Sequence, residues 1–180
     1  MLLGICGAAG CGKDTLAYEL VNHDAYEQYR MADPIKAMLQ QFHIFPDTWD
    51  DHEAKERNIP WLGKSPRYLA QTLGTEWGRE LINEDIWVLL AKGRWHHLNA
   101  GGKGRMIVSD VRFKNEAEWI RSEGGIIISL VRDSGHEMDN RGHKSEDGLP
   151  PHLIDALVYN DGTVKEMYDR FWEAVHVQVQ

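Results

Sequence analysis

The chain opens on an uninterrupted apolar run, Leu2-Leu3-Gly4-Ile5-Cys6, which predicts a strand covered on both faces. From Asp14 to about Val21 the period changes: Leu16, Ala17, Leu20 and Val21 recur at helical spacing, so a helix follows directly. A short strand is predicted over Tyr29 to Ala32. Asp33-Pro34 then reads as cap and first-turn proline of a helix carrying Ile35, Met38, Leu39 and Phe42. Residues 46 to 66, with Pro46, Pro60 and Pro66 around a charged stretch, predict loop or short irregular helix.

Ser65-Pro66 opens a longer helix reaching about Ile82. Leu69, Leu73, Trp77 and Leu81 recur every four residues as its core side, and Arg67, Gln71, Thr75 and Arg79 as the opposite, polar side. Gly74 and Gly78 inside it each cost roughly 1 kcal/mol relative to alanine, which close approach of a ligand or backbone, or simple helix packing, would offset. Asp85 is placed to cap a helix through about Leu98, with Ile86, Leu89, Leu90 and Trp95 inward. Met106 to Ser109 predicts a strand that delivers Asp110 at its C-terminal end, and Asn115 to about Glu123 a helix closed by Gly124-Gly125. Ile126 to Val131 and Ala156 to Tyr159 predict the last two strands, and Val164, Met167, Phe171 and Val175 a closing helix. Between those strands, Asp133 to Pro151 is polar and aperiodic, the pattern of a functional loop or a disordered one. Strands alternating with helices imply an α/β fold with a mostly parallel sheet and helices on both faces.

The turn after the first strand, Gly7-Ala8-Ala9-Gly10-Cys11-Gly12-Lys13-Asp14-Thr15, has the spacing of a phosphate-binding loop. A glycine turn between a buried strand and a helix aims several backbone N–H groups at one point, where the helix dipole also favours an anion. Lys13 is placed to reach terminal phosphates. Asp14 stands where a magnesium-binding Ser or Thr is usual, with Thr15 one place later.

At 180 residues the chain suits one domain, and no apolar run approaches the roughly 18 residues of a membrane span. No basic segment precedes the first apolar run, so a secretory leader is not expected and a cytoplasmic location is. Cys6 and Cys11, the only cysteines, form no disulfide framework. A net charge of -8 argues against a nucleic-acid partner and for a small phosphorylated ligand, so arginines stand out locally: Arg67, Arg79, Arg112, Arg132 and Arg141. The nine histidines do not assemble into a metal site by spacing: His96 and His97 point apart, and His136 with His143 lacks partner ligands.

Several segments together resemble the deoxynucleoside monophosphate kinases of bacteriophages, a branch of the P-loop nucleoside monophosphate kinases. They are Gly7 to Thr15 with its GKDT ending, Ala32-Asp33-Pro34-Ile35-Lys36, Gln71 to Arg79, Asp85-Ile86-Trp87-Val88, Asp110-Val111-Arg112 with Asn115-Glu116, His143 with Ser145-Glu146, and Asn160 to Thr163. The resemblance implies a three-layer αβα P-loop fold with a five-stranded sheet, a single domain carrying a helical substrate-binding insert over about 34–100, and a lid-like loop over about 133–151. It also implies transfer of the ATP γ-phosphoryl group to a deoxynucleoside 5′-monophosphate with Mg2+, a homodimer being left open.

In that reading Gly7, Ala9, Gly10, Cys11, Gly12, Lys13, Asp14 and Thr15 bind ATP, and Asp14 or Thr15 with Asp110 binds magnesium. Arg67, Arg79 and Arg112 grip the acceptor phosphate, Gln71 and Thr75 contact its base or sugar, and Asp33, Lys36, Asp85, Trp87 and Glu116 complete the substrate site. Lys13, Arg132 and Arg141 are the catalytic cations, the last two from the closing lid. Trp61 and Trp77 are candidates to stack a nucleobase. The alternatives are a P-loop kinase of another small acceptor, such as a coenzyme precursor, and a nucleotide-binding regulator without turnover.

Overall fold

A computed structural model of the chain describes residues 1–132 and 148–179. Its five strands are β1 (Leu2–Cys6), β2 (Glu27–Tyr29), β3 (Met106–Val108), β4 (Ile126–Val131) and β5 (Ala156–Tyr159), in the order β2-β3-β1-β4-β5. Every pairing is parallel, with Leu3 opposite both Ile107 and Ile126 in the middle. The helices are α1 (Lys13–Asp24), α2 (Asp33–Leu39), α3 (Pro46–Asp50), α4 (His52–Glu56), α5 (Pro66–Thr72), α6 (Ile86–Leu98), α7 (Lys114–Ser122) and α8 (Val164–Val179). Among the described residues no helix is long and apolar enough to cross a membrane.

The chain divides into two units, Met1–Arg30 with Lys92–Gln180, and Met31–Ala91. The first holds the whole sheet. Alternation along β1 explains its layers: Leu3 and Ile5 join Leu16, Ala17 and Leu20 of α1 and Met167, Phe171 and Val175 of α8 in one core cluster. Gly4, between them, faces the other way, where a Cβ would lie 2.9 Å from Ile120 of α7. Helices therefore cover both faces.

Two boundaries differ from the pattern. The second strand runs over Glu27–Tyr29 rather than 29–32, because backbone pairing with Met106 to Val108 fixes it there. The Ala32 carbonyl already accepts the first helical bond from Lys36 N–H at 2.9 Å, so Ala32 is the cap and Asp33 the first residue of α2.

The second unit packs Met31, Ile35, Leu39, Ile44, Trp87, Val88 and Ala91 among its buried apolar residues. The middle helix begins as expected, the Ser65 hydroxyl accepting Tyr68 N–H at 3.2 Å. It then changes character: Leu73–Ile82 is a ten-residue π-helix. Its i→i+5 bonding shows in Asn83 N–H donating to Gly78 carbonyl at 3.0 Å. The π-helix turns a four-residue row the opposite way from an α-helix, so the buried face is not the one an α-helical count gives. Leu81 is 76% exposed and Trp77 is also exposed, while Gly74, Thr75 and Gly78 are buried. The core side predicted for this stretch is thus rotated. In α6 the buried residues are Trp87, Val88, Ala91 and Trp95, and Leu89 and Leu90 are exposed.

Candidate active site

The loop between β1 and α1 is built around glycines that no other residue replaces without strain. Gly7 has φ 138°, and a Cβ there would lie 2.3 Å from the Leu130 carbonyl oxygen. Gly12 has φ 104°, and a Cβ there would lie 2.5 Å from Asn160 Nδ2. Gly12 is the N-cap of α1 and offers no side-chain cap, so the first amides of this 12-residue helix are left for an anion. The Lys13 ammonium lies back over the loop, donating to the carbonyls of Gly7 at 2.9 Å and Ala8 at 2.6 Å. Ala9 and Gly10 are exposed, and Cys11 is buried with its Sγ 3.7 Å from Lys13 Nζ. Burial raises the Cys6 thiol above its ordinary value, so it stays protonated and unreactive.

Asp14 and Thr15 are exposed in the first turn of α1. Asp14 Oδ1 sits 3.3 Å from Arg30 Nη2 at the end of β2. Asp110 follows β3, held by its neighbours: Ser109 N–H donates to the Tyr29 carbonyl at 3.2 Å and Val111 N–H to the Ile5 carbonyl at 3.1 Å. Those bonds fix Asp110 between the ends of β2 and β1. Among the described residues no group of three His, Cys, Asp or Glu could hold a metal by itself. Asp14 and Thr15 offer exposed oxygens of the kind magnesium takes, a cation that completes its shell with phosphate and water. The glycine cradle and uncapped helix start likewise fit a polyphosphate.

Arg112 is exposed, and its backbone N–H donates to Glu116 Oε2 at 2.8 Å; Phe113 N–H donates to the same oxygen at 3.1 Å. Glu116 is 1% exposed. Its carboxylate holds the turn into α7 that carries Arg112. Arg132 is exposed just beyond β4. Arg141, and His143, Ser145 and Glu146, lie outside the described residues, as does most of the expected lid.

In the second unit Arg67 pairs with Glu56 at 3.1 Å, and Arg79 Nη1 donates to the Glu84 carbonyl at 3.1 Å. The Lys36 ammonium is 5.7 Å from the centre of the Trp49 ring. Asp33 and Asp85 are exposed; Asn83 supplies the side-chain oxygen at the start of α6, accepting Asp85 N–H at 2.8 Å. Arg67, Gln71 and Arg79 are half-buried and Thr75 buried, so the four form no single solvent-facing row. Trp87 is buried, and its indole N–H donates to the Gly74 carbonyl at 2.8 Å. Trp61 and Trp77 are exposed.

Arg30 escaped the sequence reading, since it follows a strand too short for a period, and Asn160 entered it only within the Asn160 to Thr163 segment of the family resemblance, with no role of its own.

Comparison with known proteins agrees with this fold. Residues 51–171 match the profile of the deoxynucleotide monophosphate kinase family. A protein of Acanthamoeba polyphaga mimivirus named as a deoxynucleotide monophosphate kinase is 27% identical over 97% of this chain and 96% of its own length. The deoxynucleoside-5′-monophosphate kinase of Escherichia phage T5 is 30% identical over 60% of this chain, and the match spans 44% of the phage protein, under half of it. Among solved structures, dephospho-CoA kinase from Campylobacter jejuni superposes with a TM-score of 0.53 over 97% of this chain and 95% of its own, at 10% identity, which speaks to the fold alone. With a family match over most of its length, the chain belongs to the deoxynucleotide monophosphate kinases.

Proposed function

We propose that this protein transfers the γ-phosphoryl group of ATP to a deoxynucleoside 5′-monophosphate, giving the diphosphate. The observation that carries it is the loop Gly7 to Thr15, with a backbone only glycine fits at positions 7 and 12, an uncapped helix start and Lys13 over its mouth. The relatives' names supply the acceptor.

The acceptor's second phosphate pKa is about 6, so it is a nucleophile at neutral pH and needs no general base. What the reaction needs is two repelling polyanions held in line and cations against the developing charge. The amides from Ala9 to Asp14 hold the β-phosphate and Lys13 spans the β- and γ-phosphates. Magnesium, when bound, neutralises phosphate oxygens; Asp14 or Thr15, and Asp110, are the oxygens this chain offers it. Arg67, Arg79 and Arg112 take the acceptor phosphate, with Gln71 and Thr75 toward base or sugar. Arg132 and Arg141 supply cations from the loop that excludes water during transfer.

Coupled measurement of ADP formation with each deoxynucleoside monophosphate, against a Lys13→Ala control, tests this. Turnover stimulated by at least one such acceptor is expected. Stimulation only by an unrelated acceptor, or none above the control, overturns it.

A further inference from the structure

We propose that Asn160 is a positioning residue of the donor site, holding the Cys11–Gly12 peptide so that the Gly12 N–H is turned toward the phosphate chain. The proposal rests on the reading of the loop as a polyphosphate site.

Asn160 follows β5, its own N–H donating to the Val131 carbonyl at 2.7 Å. It is 8% exposed, an unusual place for an amide side chain unless it is bonded. Its Nδ2 donates to the Cys11 carbonyl at 2.8 Å in a buried hydrogen bond. In a planar trans peptide the C=O and the next N–H point in opposite directions, and the described chain has no cis bond. A donor fastened to the Cys11 oxygen therefore sets the direction of the Gly12 N–H, which faces away from Asn160. The amide is also pressed against Gly12 itself, since a Cβ there would come within 2.5 Å of Nδ2. Position 12 is thus constrained twice, by its φ of 104° and by Asn160.

The turn bearing Asn160 is itself braced. Arg170 donates to the Tyr159 carbonyl at 2.8 Å and pairs with Asp161. Glu166 accepts Thr163 N–H at 2.7 Å while its own N–H donates to Thr163 Oγ1 at 3.2 Å, a reciprocal capping box at the start of α8. Met167 and Phe171 of that helix share the core cluster with Leu16 and Leu20 of α1. The loop is held from behind by elements fixed to the same core, so its amides do not reorganise when phosphate arrives.

The test uses binding, which separates this role from turnover. Asn160→Asp keeps the size and replaces the donor by an acceptor facing a carbonyl; Asn160→Ala removes the bond. Titration calorimetry with MgADP and with tripolyphosphate is expected to show both probes weakened roughly ten- to hundredfold by Asn160→Asp, the scale of losing a group that orients a ligand. Affinity for a deoxynucleoside monophosphate stays near wild type, while the melting temperature falls in both variants because the buried Cys11 carbonyl loses its donor. The Gly12 amide resonance, shifted by tripolyphosphate in the wild type, moves much less in the variant. Wild-type affinity of both probes for Asn160→Asp and Asn160→Ala overturns this inference alone. A wild-type protein that binds neither probe overturns the donor-site reading and this inference with it. Should both variants fail to fold, the wild type decides: unchanged Gly12 amide and Asn160 side-chain resonances on adding tripolyphosphate overturn the role.

Discussion

The indole N–H of Trp87 donates to the Gly74 carbonyl at 2.8 Å, and the same ring occupies the space a side chain at position 78 would need. A side chain inserted into the ladder is a known cause of departure from α-helix, and here it coincides with ten residues of π-helix. Trp87→Phe keeps an aromatic ring but loses part of the indole's volume in a buried site, and it leaves the Gly74 carbonyl without this donor, the unmet acceptor alone costing about 1–3 kcal/mol. Gly78→Ala gains about 1 kcal/mol in helix propensity. The added methyl, 2.5 Å from Trp87 Cζ2, costs about 1–3 kcal/mol in overpacking, so the net sign is destabilising. Denaturant unfolding checks both variants. A Gly78→Ala protein as stable as wild type would show that the ring yields.

Asp14 and Arg30 make the second prediction. A carboxylate beside a polyphosphate site repels its ligand unless a cation compensates, and Arg30 at 3.3 Å is placed to do so. Arg30→Ala is expected to raise the KM for ATP severalfold, and the double variant Asp14→Ser with Arg30→Ala to recover part of that loss. If the double variant is no better than Arg30→Ala, the guanidinium acts on the ligand directly. In the same series Asp14→Ser retains activity and Asp14→Ala sharply weakens the magnesium dependence if Asp14 contributes to metal binding. Identical behaviour assigns the hydroxyl of Thr15 instead.

The sheet and the glycine loop were legible in the sequence because each is specified locally. Ile126 to Val131 is apolar throughout, and Gly7 and Gly12 mark backbone that only glycine adopts. The middle helix was misread at Trp77 and Leu81, because a four-residue period presumes α geometry, and the bond that alters it comes from Trp87. For Trp87 and Glu116 the shared motif likewise did not reveal the backbone bonds their polar atoms make, since those bonds depend on the fold. The Thr163-x-x-Glu166 capping box had a readable signature, whereas the bond from Asn160 to Cys11 spans too much sequence for any spacing to show.

The start of α8 should respond to acid. Hydrogen bonding and attraction by Arg170 lower the Asp161 carboxyl, and hydrogen bonds from Thr163 lower that of Glu166. Both are depressed in the folded state, so their stabilisation is fully present above the unfolded value of about 4 and is lost as pH falls through the folded values. Asp161→Asn and Glu166→Gln are therefore expected to melt below wild type at pH 7, with the gap closing below about pH 4. A gap that is constant with pH would assign the effect to packing.

Glu116 offers the sharpest separation of support from contact. Its buried carboxylate accepts Arg112 N–H at 2.8 Å and Phe113 N–H at 3.1 Å. Glu116→Gln keeps an acceptor oxygen and should fold with near wild-type stability. Glu116→Ala leaves two N–H groups unbonded, at about 1–3 kcal/mol each, and releases the turn that presents Arg112. If Arg112 grips the acceptor, Glu116→Ala raises the KM for the monophosphate well above its effect on the KM for ATP, and Arg112→Ala adds little on that background. Steady-state kinetics of the two single variants and the double variant decides it. A destabilised Glu116→Ala protein with both KM values unchanged would keep Glu116 as a cap and remove Arg112 from the acceptor site.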